Sequence, residues 1–576
     1  MLLLPKQQSW QGDKMAEKLR IGVFVCDCGT NIAGFVNVPE VCEYAKTLPD
    51  VVYVKENMYT CSNAGIQEIM DAIKEYKLNR VVVASCTPRT HEPLFRKACE
   101  DAGLNKFLFE FVNIRDQCSW VHQKEKEDAT EKAKDLVRMG VAKARLLEPL
   151  EEIKIPVERK ALVIGGGVAG ITSALSLAKQ GFEVYIVEKE NKLGGLLNHV
   201  HSLYPSNIDA NEFLNELLEK VKKEKKIHVF LESEVESVEG YIGNFNVKIK
   251  GKKKGEIKVG TIIVAIGAKP YEPMYMYNYD EYENVITQFE LENLLKENKI
   301  GKWKKIVFIQ CVGGRGERVR YCSRICCMNS IKNARLLKKL LPESQIYIIH
   351  KGLQTYGTVY EDYCRKAREE GIRFVRVRDA VPTVSSLEKK DGKLVVGFYH
   401  PGLRRKIELD ADLVVLSTPL IQREDAKKIS QMLKVPLGQD GFFFEAHVKL
   451  RPVDFATDGI YMAGSCRAPA DINECIVQAV AAASRAAIPM AKGYVKAEPY
   501  TPVIDEEKCM GCGVCVEVCP YGAMRLVEKD GRKVAENVPA ACKGCGACGS
   551  SCIHKAINMR HFKDEQIMAQ IEEAIE

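Results

Sequence analysis

Two stretches near the C-terminus constrain this chain more than anything else in it. "CMGCGVCVEVCP" from residue 509 and "CKGCGACGSSCI" from residue 542 each space their cysteines as C-x2-C-x2-C-x3-C. Small iron–sulfur domains hold two [4Fe–4S] cubanes with this spacing, the fourth cysteine of each run crossing to the other cluster. The spacing therefore predicts one cubane on Cys509, Cys512, Cys515 and Cys552, and a second on Cys542, Cys545, Cys548 and Cys519. Gly511, Gly513, Gly544 and Gly546 stand between ligands, where backbone N–H groups can approach cluster sulfur. Paired zinc ribbons also use C-x2-C, but eight ligands in tandem exceed what two separate ribbons need.

The chain has 22 cysteines in 576 residues: seven before residue 120, none until 311, five from 311 to 364, two near 470 and eight after 508. In a long chain without a secretory signal, such grouping favours metal ligation over disulfides. The opening apolar run is only four residues, too short for a signal peptide, and Met15, opening "MAEKLRIGVFV", reads as an alternative start. No stretch of about 18 apolar residues offers a membrane span, so a cytoplasmic location is expected. The net charge of +7 is dispersed without a basic block, which predicts no nucleic-acid partner.

The length suggests about three to five domains. Strands such as "IGVFVC" and "RVVVASC" alternate with helical stretches to predict an N-terminal α/β domain over 1–150. The linker "EPLEEIKIPVERK" leads to an FAD-binding domain, its first part over 158–300 and its closing part over 426–497. Between these a nucleotide-domain-like unit is inserted over 301–425. A ferredoxin-like domain over 500–560 and a helical tail over 561–576 complete the chain. The fold class is α/β, two dinucleotide-type domains flanked by the N-terminal domain and the cluster domain.

"ALVIGGGVAGITSALSLAKQGFEVYIVEKE" is a strand, a glycine turn, a helix and a second strand. Gly165, Gly167, Val168, Ala169 and Gly170 form the turn that lets a pyrophosphate reach a helix N-terminus. Glu188, with Lys189 after it, stands where an acid accepts from a ribose hydroxyl. "KLGGLL", with Gly194 and Gly195, and "DGIYMAGS", with Gly464 and Ser465, look like the later nucleotide-contacting segments of flavoproteins with two dinucleotide domains. They favour FAD over NAD. Ser465 departs from the aspartate often found at that position.

The inserted unit carries "FIQCVGGRGERVRYCSRICCMNS", whose Gly314-x-Gly316-x-x-Val319 is a poor copy of a nicotinamide-binding loop. Its Cys311, Cys322, Cys326 and Cys327 admit three readings: a dithiol, although Cys322 and Cys326 are C-x3-C; buried inert thiols; and a cubane held by all four. The last is favoured, since Cys322 and Cys326 share one face of a helical turn. Arg315, Arg318, Arg320 and Arg324 form a solvated face, offset a cluster's charge, or meet a partner.

Together with "VCDCGTNIAGFVNV", "ASCTPRTHEPLF", "NIRDQCSWVH" and "YCSRICCMNSIKNA", these motifs closely resemble the flavin-containing A-type component of heterodisulfide reductase over nearly the whole chain. The resemblance implies a thioredoxin-reductase-like FAD core, with Cys311, Cys322, Cys326 and Cys327 at the ligand positions of a [4Fe–4S] cluster beside it. It also implies an N-terminal cluster on Cys26, Cys28, Cys61 and Cys86, whereas Cys42, Cys99 and Cys118 are expected to pack. The methanogen form has a further ferredoxin module in its core; this chain has no cysteine between 118 and 311, so about four clusters are expected.

By the same resemblance the protein bifurcates electrons at its flavin between a two-electron donor, a low-potential ferredoxin and a higher-potential acceptor. The implied partners are other subunits of such a complex, ferredoxin, and a hydrogenase-, formate- or NADH-linked electron-input subunit, with a dimer inside the larger assembly. Two alternatives stand beside it: a non-bifurcating relay in a quinone-linked or related complex, and a direct NAD(P)H-dependent flavin oxidoreductase. No Ser-His-Asp or paired-carboxylate arrangement stands in a convincing context. His91 and His122 read as structural, no catalytic side chain is assigned, and disulfide reduction is left to a different subunit.

Overall fold

The computed structural model describes residues 18–377, 386–390, 393–497 and 499–575. They fall into two units, 1–153 with 496–576, and 154–495.

In the first unit, the strands Ile21–Cys26, Val51–Asn57, Arg80–Ser85 and Phe109–Asn113 form a parallel sheet whose spatial order is second, first, third, fourth. The first strand is buried along its whole length, as a parallel strand covered on both faces must be. Its Val23 and Val25 pack with the helices Val38–Ala45 and Lys126–Arg145, and Phe24 with Asn63–Glu75 and Pro88–Asp101. The order reverses between the first and third strands, and the crevice at their C-terminal ends is where open α/β sheets bind ligands.

The cysteine-rich tail belongs to the same unit. Its strands Pro502–Ile504 and Ile557–Met559 pair antiparallel around two one-turn helices, Val514–Glu517 and Ala547–Ser550. A hairpin, Met524–Lys529 with Arg532–Asn537, turns at Asp530-Gly531 with φ of 49° and 77°, the left-handed pair a type I′ turn requires. The helix Asp564–Ile575 lies along Lys126–Arg145, where Arg138 Nε donates to the Glu573 carbonyl at 2.8 Å and Gln566 Nε2 to that of Leu146 at 2.8 Å. The Arg96 guanidinium sits between the rings of Phe107 and Tyr500, 5.3 and 5.1 Å from their centres.

The second unit has two parallel five-stranded sheets. One runs Ile460–Met462, Thr261–Val264, Lys160–Ile164, Glu183–Val187, Ile227–Phe230; the other runs Val285–Thr287, Leu413–Leu416, Lys305–Ile309, Gln345–His350, Arg373–Arg376. The return of Ile460–Met462 to the first sheet makes the second an insertion. Antiparallel strands Ala268–Pro270 and Leu420–Gln422 carry the chain out and back. The second sheet begins at Val285, ahead of the boundary expected at 301, because a three-residue strand is too short for its apolar pattern to be read.

Candidate functional site

The first βαβ turn of the second unit sits at the mouth of a cavity of about 500 Å³. Gly165 is left-handed at φ 106°, and a Cβ on Gly170 would lie 1.9 Å from the Gly165 carbonyl oxygen, so the helix Val168–Lys179 can pass this close only without a side chain there. A Cβ on Gly167 would meet nothing within 4 Å, which leaves the loop open to a bulky group. Gly194 donates to the Gly166 carbonyl at 2.8 Å, bringing the Gly194-Gly195 segment against the first loop.

Gly165, Gly167, Val168, Ala169, Glu188, Lys189, Gly194, Gly195 and Ser465 all line the cavity. Gly170 lies beneath the loop. Gly464 supports from behind, its N–H donating to Gln478 Oε1 at 3.1 Å. Glu188 accepts from the N–H of Gly166 at 2.6 Å and of Glu190 at 2.9 Å, so its carboxylate is held at the cavity edge. Ser465 spends its hydroxyl on the Ala470 carbonyl at 3.4 Å. Lys189 pairs with Asp425 at 2.9 Å.

The helix Ile472–Lys492 starts at the cavity behind a capping box, Asp471 accepting from Glu474 N and Glu474 from Asp471 N. Its positive end faces the same space. A buried ion pair lies beside it: Lys332 Nζ meets Glu292 Oε1 at 2.5 Å and the Ser202 carbonyl at 2.9 Å, with Glu292 and Ser202 in the cavity wall. Neither partner was anticipated from sequence; the one signal is a lysine on the buried face of "MNSIKNA".

The inserted loop gathers its cysteines. Cys311, at φ 61°, follows the strand Lys305–Ile309 by two residues; Cys322 precedes, and Cys326 and Cys327 open, the helix Cys326–Leu340. All four line one narrow cavity with Gln310, Arg315 and Ser417. Burial pushes the Cys326 thiol far up, and Cys327, Cys311 and Cys322 push the same way, which thiols do only at close range. Burial raises Cys327 to about 12 and also raises Cys311, which Arg315 pulls back. Cys326 lines the cavity of about 500 Å³ as well, so the two cavities share a wall. The arginines diverge: Arg315 stays by Cys311, Arg318 bonds the Tyr271 hydroxyl at 3.0 Å, and Arg324 grips Glu474 at 2.8 Å.

In the first unit, Cys26, Cys28, Cys61 and Cys86 lie at or just beyond C-terminal strand ends, in the crevice of the sheet. Cys26 Sγ accepts from the N–H of Cys28 at 3.3 Å and of Thr60 at 3.4 Å, and Arg115 Nη1 donates to Cys28 Sγ at 3.8 Å. Burial raises the thiols of Cys61 and Cys86; nearby Cys26 and Cys28 raise both further, while Arg115 lowers both. Arg115, stacked 4.6 Å from the Trp120 ring, is a site residue the sequence did not single out. Cys42, Cys99 and Cys118 are buried elsewhere in the core.

In the tail, burial raises the Cys515 thiol, and Cys509, Cys512 and Cys552 add to it. Burial takes Cys548 to about 11, helped by Cys542 and Cys519. The neighbours of each thus include the fourth cysteine of the opposite run. Cys545 is exposed. Backbone N–H groups point at sulfur: Ala535 to Cys509 at 3.3 Å, Ala523 to Cys519 at 3.2 Å, Gly544 to Cys542 at 3.4 Å and Ala556 to Cys552 at 3.3 Å. Among the described residues no three His, Cys, Asp or Glu close on one metal ion.

Residues 159–314 match the pyridine nucleotide-disulphide oxidoreductase family and 502–525 the 4Fe-4S binding domain. One of two iron-sulfur A-type components of CoB–CoM heterodisulfide reductase in Methanopyrus kandleri is 43% identical, covering 97% of this chain and 99% of its own length. The A-type component of the H(2):CoB-CoM heterodisulfide,ferredoxin reductase of Methanothermobacter marburgensis is 42% identical, covering 97% and 98%. The first alignment spans 651 positions against a 576-residue chain, so that relative has segments this chain lacks. T. acidophilum thioredoxin reductase is a structural neighbour, at 14% identity and a TM-score of 0.41 over 57% of this chain and 98% of its own. The second unit holds a two-domain core of the pyridine nucleotide-disulphide oxidoreductase type, and the protein is an oxidoreductase with flavin-type and iron–sulfur domains that transfers electrons. The chain belongs to the family of A-type heterodisulfide reductase components.

Proposed function

We propose that this chain is the FAD and iron–sulfur subunit of a heterodisulfide-reductase-type complex, and that flavin-based electron bifurcation takes place in its 500 Å³ cavity. The observation that carries this is Cys326, which stands in the wall of both the nucleotide cavity and the four-cysteine cavity. A one-electron outlet there would touch the flavin site directly. When bound, FAD supplies a centre that exchanges electrons singly or in pairs, and [4Fe–4S] clusters supply one-electron relays.

The chain's own residues bind and orient. The Gly165–Gly170 loop and the helix behind it would take the pyrophosphate, Glu188 would take the ribose, and the N-terminus of Ile472–Lys492 would offer positive potential to the bound group. Cys311, Cys322, Cys326 and Cys327 hold one cluster; the tail holds two in crossed sets; Cys26, Cys28, Cys61 and Cys86 hold a fourth. The inserted unit is poorly suited to a nicotinamide. The helix N-terminus that would receive its pyrophosphate opens with Cys326 and Cys327, and Cys311 stands in the loop just after the preceding strand.

The relatives' names support the complex: two of them, from Methanothermobacter, are named for CoB–CoM heterodisulfide and ferredoxin. For this chain the corresponding partners are other subunits of such a complex, a ferredoxin, and a hydrogenase-, formate- or NADH-linked electron-input subunit. Anaerobically purified protein should contain about sixteen iron and as many acid-labile sulfide per FAD. Replacing Cys326 and Cys327 with Ser should remove about four of each. In the assembled complex, ferredoxin reduction should require a simultaneous high-potential acceptor; ferredoxin reduced equally well without one would leave a simple relay.

A further inference from the structure

Between the two cavities of the second unit, Gln288, Gln310, Ser330, Asn333 and Ser417 are buried beside an apolar core. Ser330 Oγ is the hub. It contacts the Nε2 atoms of Gln288 and Gln310, the Ser417 hydroxyl at 2.9 Å and the Cys326 carbonyl at 3.1 Å.

A hydroxyl has one proton to give and two lone pairs to offer, so four polar neighbours exceed what Ser330 can satisfy. Its proton goes to the Cys326 carbonyl, which can only accept. Its lone pairs go to the two amide nitrogens, which can only donate. Ser417 accepts from Gln288 Nε2 at 3.0 Å, and its own proton then has no acceptor left at Ser330. Ser417 lines the cavity of Cys311, Cys322, Cys326 and Cys327. Gln288, turned by Asn333 Nδ2 donating to its Oε1 at 2.8 Å, lines the nucleotide cavity.

We propose that Ser417 donates a hydrogen bond to the iron–sulfur group in the four-cysteine cavity and so sets its reduction potential, with Gln288 holding Ser417 in place from the nucleotide cavity. Both are positioning residues. A donor to cluster sulfur stabilises the more negative, reduced form and raises the potential. The network would thus let occupancy of the nucleotide cavity be felt at the cluster through Gln288. This rests on the reading of the four cysteines as cluster ligands.

The test is an EPR-monitored redox titration of the full chain, purified anaerobically, with iron, sulfide and FAD counted in the same samples. Ser417→Ala should make one cluster about tenfold harder to reduce, a fall of about 59 mV for a one-electron couple, with iron content and the other clusters unchanged. Ser417→Thr, keeping the hydroxyl, should restore the potential, and Gln288→Leu should lower it in the same direction. Full iron content with an unshifted potential in Ser417→Ala overturns the proposal while leaving the cluster reading intact. If the alanine variant does not assemble, an unshifted Gln288→Leu overturns it. Should Cys326→Ser with Cys327→Ser remove no iron, the cluster reading itself fails, and the count shows that before any potential is measured.

Discussion

Replacing Lys332 with Met should destabilise the second unit more than any surface charge could. Lys332 is 1% exposed and Glu292 5%, so water screens neither. With the ammonium gone, Glu292 keeps one hydrogen bond, from His201 N at 3.0 Å. Breaking a buried pair by removing one partner costs about 3–5 kcal/mol, because the other charge stays buried without compensation. With a urea slope of about 3 kcal/mol/M, that is a midpoint drop of about 1–1.7 M. Lys332→Met with Glu292→Leu should recover much of the loss, since an apolar replacement of both partners is often neutral. The assay is urea unfolding of the full chain, following near-UV circular dichroism and the flavin signal. A loss below about 1 kcal/mol in Lys332→Met, the range of exposed pairs, or a double variant losing the sum of the singles, would refute the reasoning.

The tail clusters should respond crosswise: Cys519→Ser should disturb the cluster of the second run and Cys552→Ser that of the first, as separate losses in the EPR spectrum. Gly170→Ala should abolish FAD retention on gel filtration, since its Cβ would fall 1.9 Å from the Gly165 carbonyl oxygen. Burial, with Arg376 and Arg368 nearby, lowers the His350 pKa to about 4. The unfolded chain, at the ordinary 6.5, therefore binds more protons between those values, and stability present above pH 6.5 is lost as pH falls towards 4. Going from about pH 7.5 to about pH 5.5 should cost about 1.4 kcal/mol through this group, measured by urea midpoints, and His350→Phe should remove that component.

What could be read from the sequence depended on how local each signal was. The tail cysteines sit within a few residues of one another, so their spacing alone describes their surroundings. The same holds for Gly165 to Gly170, where strand, turn and helix are contiguous. Cys26, Cys28, Cys61 and Cys86 come from three strand ends, and only their positions after apolar runs hinted that a parallel sheet would bring them to one edge. Arg115, which reaches Cys28 from after the fourth strand, carried no such hint. Lys332 and Glu292 are 40 residues apart on different helices, and no local pattern ties a lysine to that acid. Ser417 stands at the end of "LVVLS", where a serine reads as an ordinary strand terminus. Its role depends on a neighbour supplied by another element.

The first unit is built from the two ends of the sequence. A ribosome releases Lys126–Arg145 early, and the helix Asp564–Ile575 that covers it only after all of 154–495 has been made. Until then the faces of Phe107, Lys143 and Leu146 lack Tyr500, Phe562 and Gln566, which later cover them. The first unit therefore waits, with that face uncovered, through most of synthesis, and truncation anywhere in the tail should be felt at the opposite end of the chain.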